Sequence, residues 1–154
     1  AAAAHGVRFD VAPQGDPAQA SATQYSDAAA WLAGEGYIDY LMPQLYWGRQ
    51  YSKNGSDAHA LQSLAARWAA LPRSKNVALY FGLGAYRIGD GDGSDTAGEW
   101  QTGHALADCA ALLRQYGSGV ALYRYGSLYQ NAAYPALAAK ERAALHTFWA
   151  ENSA

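Results

Sequence analysis

Two acidic side chains are the first candidates for chemistry. Paired carboxyl groups can hydrolyse a glycosidic bond, one acting as the acid and the other as base or nucleophile. Glu99 lies in a long loop beside Trp100, where it could reach a substrate or be a solvated loop carboxylate. Asp39 lies inside an apolar, strand-like run, where it could be catalytic or hold the structure together through buried hydrogen bonds. Each residue is therefore a catalytic candidate with a structural alternative.

Polar and aromatic residues at the end of that apolar run could bind a sugar. Gln44 and Tyr46 fall on one face of a strand because strand side chains alternate with period two. A Gln amide can donate to and accept from sugar hydroxyls, although it could also cap the strand end with Tyr46 as core filler. Trp47 could stack on a sugar ring or pack against a neighbouring helix. The site interpretation is the favoured one for Gln44 and Tyr46.

Further candidates end the later apolar runs or lie beside Glu99. Arg124 could orient a carboxylate such as Asp39, or form a structural ion pair, which is the favoured interpretation. The other candidates for the substrate-binding surface are Tyr86, Trp100 and Tyr125.

The sequence predicts neither a metal site nor a cofactor. The segment Asp90–Asp95 invites a calcium interpretation, but Asp95 stands where an EF-hand needs glycine and Gln101 where it needs a bidentate Glu. A flexible lid or rim loop is expected there instead. The 4 histidines lack metal-ligand spacing, and Cys109 lies on the apolar face of a helical pattern.

Composition narrows the class of protein. The chain has 154 residues, of which 51% are hydrophobic and 16% charged, as expected for one compact domain over residues 1–154. A net charge of -2 argues against a nucleic-acid partner, and no apolar run is long enough to span a bilayer. The 12 Tyr and 5 Trp would suit the half-apolar surfaces of a polysaccharide or oligosaccharide partner. No signal peptide is visible at the start of the chain.

Strand-like and helical patterns must position these residues. The apolar runs Gly6–Pro13, Tyr37–Trp47, Asn76–Tyr86 and Gly119–Gly126 predict strands. Each run precedes a helical pattern, and these patterns cover Ala28–Leu32, Leu61–Leu71, Leu106–Leu113 and Leu137–Phe148. Nearly continuous apolar strands between amphipathic helices predict a parallel sheet covered by helices.

The predicted loops are asymmetric. The links from strand to helix are long, at Gln14–Gln24, Gly48–Gly55, Arg87–Thr102 and Ser127–Tyr134, whereas the links from helix to strand are short. In α/β folds the ligand site lies beyond the carboxyl ends of the strands, among these longer loops. Four βα units fit either a small doubly wound sheet or half of an eight-unit barrel.

Several segments resemble the glycosyl hydrolase-like family GHL10, a family-10-like group of glycoside hydrolases. The most specific is Tyr37–Trp47 (YIDYLMPQLYW); the others are Phe9–Asp16, Tyr25–Asp27 with Trp31, Val77–Gly89, Glu99–Trp100 and Gly119–Leu128. The resemblance implies an α/β fold of the (β/α) TIM-barrel type, with these four βα units as the second half of a (β/α)8 barrel. It also favours a functional role for Glu99. An Asp-rich strand expected to carry catalytic carboxylates would belong to the missing first half.

The resemblance implies a glycoside hydrolase that acts on a cell-envelope or extracellular polysaccharide, possibly one that contains amino sugars. It therefore implies a secreted or extracytoplasmic protein. The missing N-terminal half of the barrel, in the same parent protein or in another chain, would be needed for activity. Two alternatives stay open: a non-catalytic carbohydrate-binding barrel fragment, and a self-contained α/β domain of unrelated function.

Overall fold

The computed structural model describes residues 6–96 and 98–152, which form a sheet flanked by helices. The sheet has five strands, β1 (Asp10–Val11), β2 (Tyr40–Leu41), β3 (Gln44–Leu45), β4 (Ala78–Gly84) and β5 (Gly119–Tyr123). The α-helices are α1 (Pro17–Gln24), α2 (Ala28–Ala33), α3 (Leu61–Ala69), α4 (Ala105–Leu113), α5 (Tyr125–Tyr129) and α6 (Pro135–Asn152). Short 3-10 helices cover Ala85–Arg87 and Glu99–Gln101.

All strand pairs are parallel, and β1, β2, β4 and β5 are successive neighbours in chain order, with β3 also pairing with β4. Strands β2 and β3 both pair with β4, in the same register on either side of Met42 and Pro43. The predicted strand Tyr37–Trp47 is therefore one extended line that is interrupted where Pro43 has no amide to donate to the ladder. A doubly wound sheet would reverse its strand order, so the observed order is consistent with part of a TIM-like fold.

One face of the sheet forms the core. Leu79, Phe81 and Leu83 alternate along β4 and are buried in one cluster with helix residues such as Trp68 and Leu106. The intervening residues of β4 point to the opposite face because strand side chains alternate. This opposite face carries the candidate residues Gln44 and Tyr46. The predicted parallel sheet with a helix-covered face is confirmed.

Helix α1 is a correction, since its residues fall in the stretch predicted as the loop Gln14–Gln24. It begins at Pro17, behind Asp16, whose side chain accepts a hydrogen bond from the backbone amide of Ala18. An N-cap Asp followed by Pro is a typical helix start. Only Ala20 of this helix is buried, so no apolar periodicity revealed it.

The predicted ends of other elements are also corrected. Helix α3 begins at Leu61 behind Ala60, which makes no side-chain cap, and it ends at Ala69, before the predicted Leu71. Strand β5 ends at Tyr123, and α5 takes the residues that were predicted as the strand end and the start of the loop Ser127–Tyr134. The burial of Leu128 anchors α5 to the core.

The N-terminus of helix α4 is capped by a side chain of helix α6. His104 precedes it without a side-chain cap, and the fully buried Glu141 of α6 accepts hydrogen bonds from the amides of Ala105 (2.9 Å) and Leu106 (3.0 Å). Because unsatisfied amides occupy the first turn of any helix, a carboxylate there stabilises it. None of the helices in residues 6–96 and 98–152 is long and apolar enough to cross a membrane.

Candidate functional site

Three tyrosines meet at the carboxyl ends of strands β3, β4 and β5. Tyr46 follows β3, Tyr86 lies in the 3-10 helix after β4, and Tyr123 ends β5. The Tyr46 ring lies 5.5 Å from Tyr86, edge to face, and 5.8 Å from Tyr123, stacked. We call these three residues the tyrosine cluster. Tyr123, which is 53% exposed, was not predicted, although its place at a strand end is the same signal that singled out Tyr46.

Burial favours the protonated form of Tyr46. Desolvation, followed by the neighbouring Tyr86 and Tyr123, raises the pKa of Tyr46 above its ordinary value. Tyr46 therefore keeps its proton at neutral pH, and its hydroxyl can act as a hydrogen-bond donor or acceptor. The three rings combine apolar faces with polar hydroxyl edges, which suits the half-apolar surface of a sugar ring.

A glycine in β4 makes room for the cluster. A Cβ atom on Gly84 would lie 3.1 Å from Cε1 of Tyr86 and 3.3 Å from Cβ of Tyr46. These distances are shorter than ordinary van der Waals contacts, so a larger residue would push the tyrosine rings apart. The apolar run that predicted β4 therefore also encodes the floor of the site.

Two glutamines lie side by side near the ends of the first two strand-like runs. Gln44 Nε2 donates to the carbonyl of Ala12 at 2.8 Å, and Gln44 forms a parallel bridge with Gln14. The Oε1 atom of Gln14 is buried and has no hydrogen-bond partner among the described residues. Gln14 was not predicted, although it directly follows the first strand-like run, Gly6–Pro13. The Gln44 amide is therefore bound to the backbone that follows β1.

The Trp47 ring packs against neighbouring residues of the same chain. Its ring lies over Gly15, where a Cβ atom would be 2.9 Å from Cζ3, and its centroid is 5.4 Å from that of His59. Tyr51 adds an edge contact at 6.2 Å. Of the two roles considered for Trp47, the structure therefore displays the packing contacts.

Glu99 is buried, and both of its carboxylate oxygens are engaged. Oε1 accepts from the backbone amide of Arg49 at 3.0 Å and from its Nε at 3.1 Å, while Oε2 accepts from the amide of Gln50 at 3.0 Å. The neighbouring Trp100 is only 3% exposed and donates its Nε1 hydrogen to Asp92 at 3.0 Å. Glu99 thus connects the loop after β4 to the loop after β3, whereas the Trp100 hydrogen bond lies within the loop after β4.

Asp39 lies at the other end of the sheet. It precedes β2, and its Oδ2 accepts a hydrogen bond of 2.6 Å from the backbone amide of Phe9. Seven residues of nearly extended chain separate it from Tyr46, a distance on the order of 20 Å. The structure therefore does not bring Asp39 and Glu99 together as a pair.

The remaining candidates lie on the rim after β5. Arg124 is exposed and forms no ion pair with any carboxylate in the described part of the chain. Tyr125 stacks on Tyr129 with ring centroids 4.6 Å apart, and Cζ of Arg142 lies 5.4 Å from the ring centroid of Tyr129. This leaves one face of Tyr125, a residue that is 66% exposed, open to solvent.

The acidic segment Asp90–Asp95 makes internal contacts. Asp92 accepts from the amides of Gly48 and Ser94, Asp95 accepts from the amide of Asn54, and Asp90 accepts from the Tyr134 hydroxyl. Within residues 6–96 and 98–152, no group of three or more His, Cys, Asp or Glu side chains has the arrangement of a metal site. The segment is therefore hydrogen-bonded to neighbouring loops through its carboxylates.

Residues 1–101 match the family model described as "Glycosyl hydrolase-like 10". The chain belongs to this family. Glycosyl hydrolase DigH of Escherichia coli strain K12 is 31% identical over 99 residues, which cover 55% of this chain and 21% of DigH. Glycosyl hydrolase YngK of Bacillus subtilis strain 168 is 39% identical over 64 residues, which cover 42% of this chain and 11% of YngK. The chain thus matches only a small part of each relative, and the family resemblance seen in the sequence is confirmed.

Proposed function

We propose that this chain forms the later half of a glycoside hydrolase barrel and supplies one wall of its substrate site. The tyrosine cluster at the carboxyl ends of β3, β4 and β5, in a glycosyl hydrolase-like chain, carries this proposal. Active sites of (β/α)8 barrels lie at this end. The proposed substrate is a cell-envelope or extracellular polysaccharide, including those with amino sugars, so the protein would act outside the cytoplasm.

The open sheet supports the barrel. Within the described residues, β1 pairs only with β2 and β5 only with β4, so the sheet has two unpaired edges. Closing a sheet into a barrel removes such edges. The curated relatives extend far beyond the part that this chain matches. We infer that the missing strands come from the N-terminal half of the barrel, in the same parent protein or in another chain.

The proposed roles follow from placement. Gln44, Tyr46, Tyr86 and Tyr123 would contact the sugar, and Tyr125 would extend this surface along the rim. Asp39 and Glu99 both hold backbone amides, and they lie in different regions of the structure. We therefore assign the catalytic acid and base to the missing half of the barrel rather than to these two residues.

The same placement favours a second candidate, a non-catalytic carbohydrate-binding barrel. A pair of carboxyl groups about 5–10 Å apart is needed for hydrolysis, and the two candidates of this chain do not form one. If the missing half also lacks carboxylates at the mouth, the tyrosine cluster would bind glycans without cleaving them. The two candidates differ in whether the intact protein releases new reducing ends.

The test compares two oligosaccharide series with the intact protein. Oligomers of β-1,4-linked N-acetylglucosamine and of β-1,4-linked glucose differ only in the acetamido group, so they separate the amino-sugar part of the proposal from the rest. Binding is measured by calorimetry and cleavage by released reducing ends. The matched variants are Tyr123→Ala in the cluster and Tyr25→Ala, a tyrosine that is 92% exposed at the end of α1.

We expect the intact protein to cleave at least one series and Tyr123→Ala to raise its KM about fivefold, since an aromatic stacking contact contributes about 1 kcal/mol. Tyr25→Ala should leave KM unchanged. Binding without cleavage would support the carbohydrate-binding candidate. A protein that neither binds nor cleaves either series, or equal effects of the two variants, would contradict the proposed wall.

A further inference from the structure

The loop after β3 is held by side chains of the loop after β4. The amides of Arg49 and Gln50 donate to Glu99 at 3.0 Å each, and the amide of Gly48 donates to Asp92 at 2.7 Å. Further along, Ser94 accepts from the amide of Ser52 and Asp95 from that of Asn54. We call Asp92, Ser94, Asp95 and Glu99 the loop clamp. It satisfies backbone donors that no regular helix or strand supplies with partners.

The carboxylates of the loop clamp leave no room for a side chain at Gly48. A Cβ atom on Gly48 would lie 2.2 Å from Oε2 of Glu99 and 3.2 Å from Oδ2 of Asp92. Arg49 adds a second anchor, since its Nη2 lies 2.6 Å from Asp108 on α4 while its Nε contacts Glu99. The carboxylates are therefore packed directly against the backbone that they bind, which fixes its position as well as its hydrogen bonds.

The clamped residues follow Tyr46 and Trp47 without a gap. Gly48 is buried and its carbonyl accepts from the amide of Leu61, so the strand end, the loop and α3 meet at this residue. A shift of Gly48 must move the backbone of Trp47 and then of Tyr46. Misplacing a binding or reacting group by about 1 Å costs up to about a hundredfold in rate.

We propose that Glu99 and Asp92 are positioning residues, which act through the backbone of Gly48–Gln50 and of Trp47 to hold Tyr46 in place for substrate binding. This inference rests on the proposed function. It gives Glu99 a role in the reaction without contact between its carboxylate and the substrate. It also assigns the acidic segment a task that its calcium-like sequence does not indicate.

Glu141 provides a matched control. Like Glu99 it is a buried glutamate that accepts hydrogen bonds from two successive backbone amides, here Ala105 and Leu106. It stabilises the start of α4 and has no contact with the loop after β3. A Gln at either position keeps one acceptor oxygen and turns the other group into a donor that faces an N–H. The substitutions Glu99→Gln and Glu141→Gln thus make the same change to the groups that face backbone amides.

The experiment measures Tm, kcat and KM for Glu99→Gln, Asp92→Asn and Glu141→Gln in the intact protein, with the oligosaccharide that the wild type cleaves or binds. Glu99→Gln and Asp92→Asn should lower Tm by a few degrees. Only Glu99→Gln and Asp92→Asn should raise KM or Kd, by about tenfold, with kcat changed less. They should also speed hydrogen exchange at the amides of residues 48–50, which Glu141→Gln leaves protected.

The outcomes separate the possible roles. An unchanged KM or Kd in both clamp variants, despite their lower Tm, would make the clamp purely structural and overturn the proposal. A loss of kcat by about a thousandfold at unchanged KM in Glu99→Gln would instead make Glu99 a catalytic residue. If Glu99→Gln does not fold, the KM or Kd of Asp92→Asn tests the proposal, because this variant leaves the Glu99 contacts in place. A wild type that neither binds nor cleaves glycans would remove both this proposal and the proposed function, whereas a failure confined to the variants removes this one alone.

Discussion

Substitution of Gly48 by alanine should destabilise the protein strongly. The new Cβ atom would lie 2.2 Å from Oε2 of Glu99, more than 1 Å inside van der Waals contact. To make room, the carboxylate must leave the amides of Arg49 and Gln50 while it remains buried. Stranding a buried charge costs about 3–5 kcal/mol, so we expect Gly48→Ala to lower the free energy of unfolding by about that amount. Denaturant unfolding of the intact protein measures it.

The control is Gly126→Ala. Gly126 lies inside α5, and the nearest atom to its added Cβ is Oε1 of Gln130 at 3.8 Å, an ordinary contact. Alanine there should stabilise the helix by about 0.5–1 kcal/mol. A double-mutant cycle with Glu99→Ala then isolates the clash, since Gly48→Ala should cost far less once the carboxylate is gone. Equal effects of Gly48→Ala in both backgrounds, or a result like that of Gly126→Ala, would refute the reasoning.

Two further predictions concern buried polar contacts. Burial, only partly offset by the amides of Leu106 and Ala105, raises the pKa of Glu141 above its ordinary value, so its folded pKa exceeds its unfolded one and stability should fall as pH rises through the folded pKa. Unfolding free energies measured across pH 4–7, in steps of about half a unit, should show this slope, and Glu141→Gln should flatten it. Trp68 is 1% exposed and donates its Nε1 hydrogen to the carbonyl of Gly15 at 2.7 Å. Trp68→Phe should therefore cost about 1–3 kcal/mol, and a loss of less than about 0.5 kcal/mol would show that this bond contributes little.

The sequence predicted the sheet well because its signals are local. Strands β4 and β5 lie within nearly continuous apolar runs, and α3 and α4 have apolar residues at helical spacing. Both patterns depend on which face of an element is buried, and the polarity of residues close together in the sequence shows which face that is. Helix α1 escaped detection because it buries only Ala20 and so leaves almost no periodic signal.

The placement of some candidate residues followed from the same local signals. Gln44, Tyr46 and Tyr86 lie near the carboxyl ends of the predicted strands Tyr37–Trp47 and Asn76–Tyr86, and the structure places them at that edge of the sheet. Tyr123 was missed because the strand was expected to continue to Gly126, which placed this tyrosine inside the ladder instead of at its end. An error of a few residues in a strand boundary is thus enough to remove a site residue from consideration.

The roles of the carboxylates could not be predicted from the sequence. Glu99 has its acceptor oxygens filled by residues 49 and 50 positions away along the chain, and Asp39 contacts an amide 30 positions away. Whether an acid is free to donate a proton depends on such long-range partners. The spacing and composition of the sequence do not reveal these partners. A carboxylate whose two oxygens both accept hydrogen bonds from backbone amides has neither oxygen free to contact a substrate, as a general acid must. Glu99 therefore has the geometry of a support for the loop that follows Tyr46 and Trp47, and the search for the catalytic acids moves to the strands that would close the barrel.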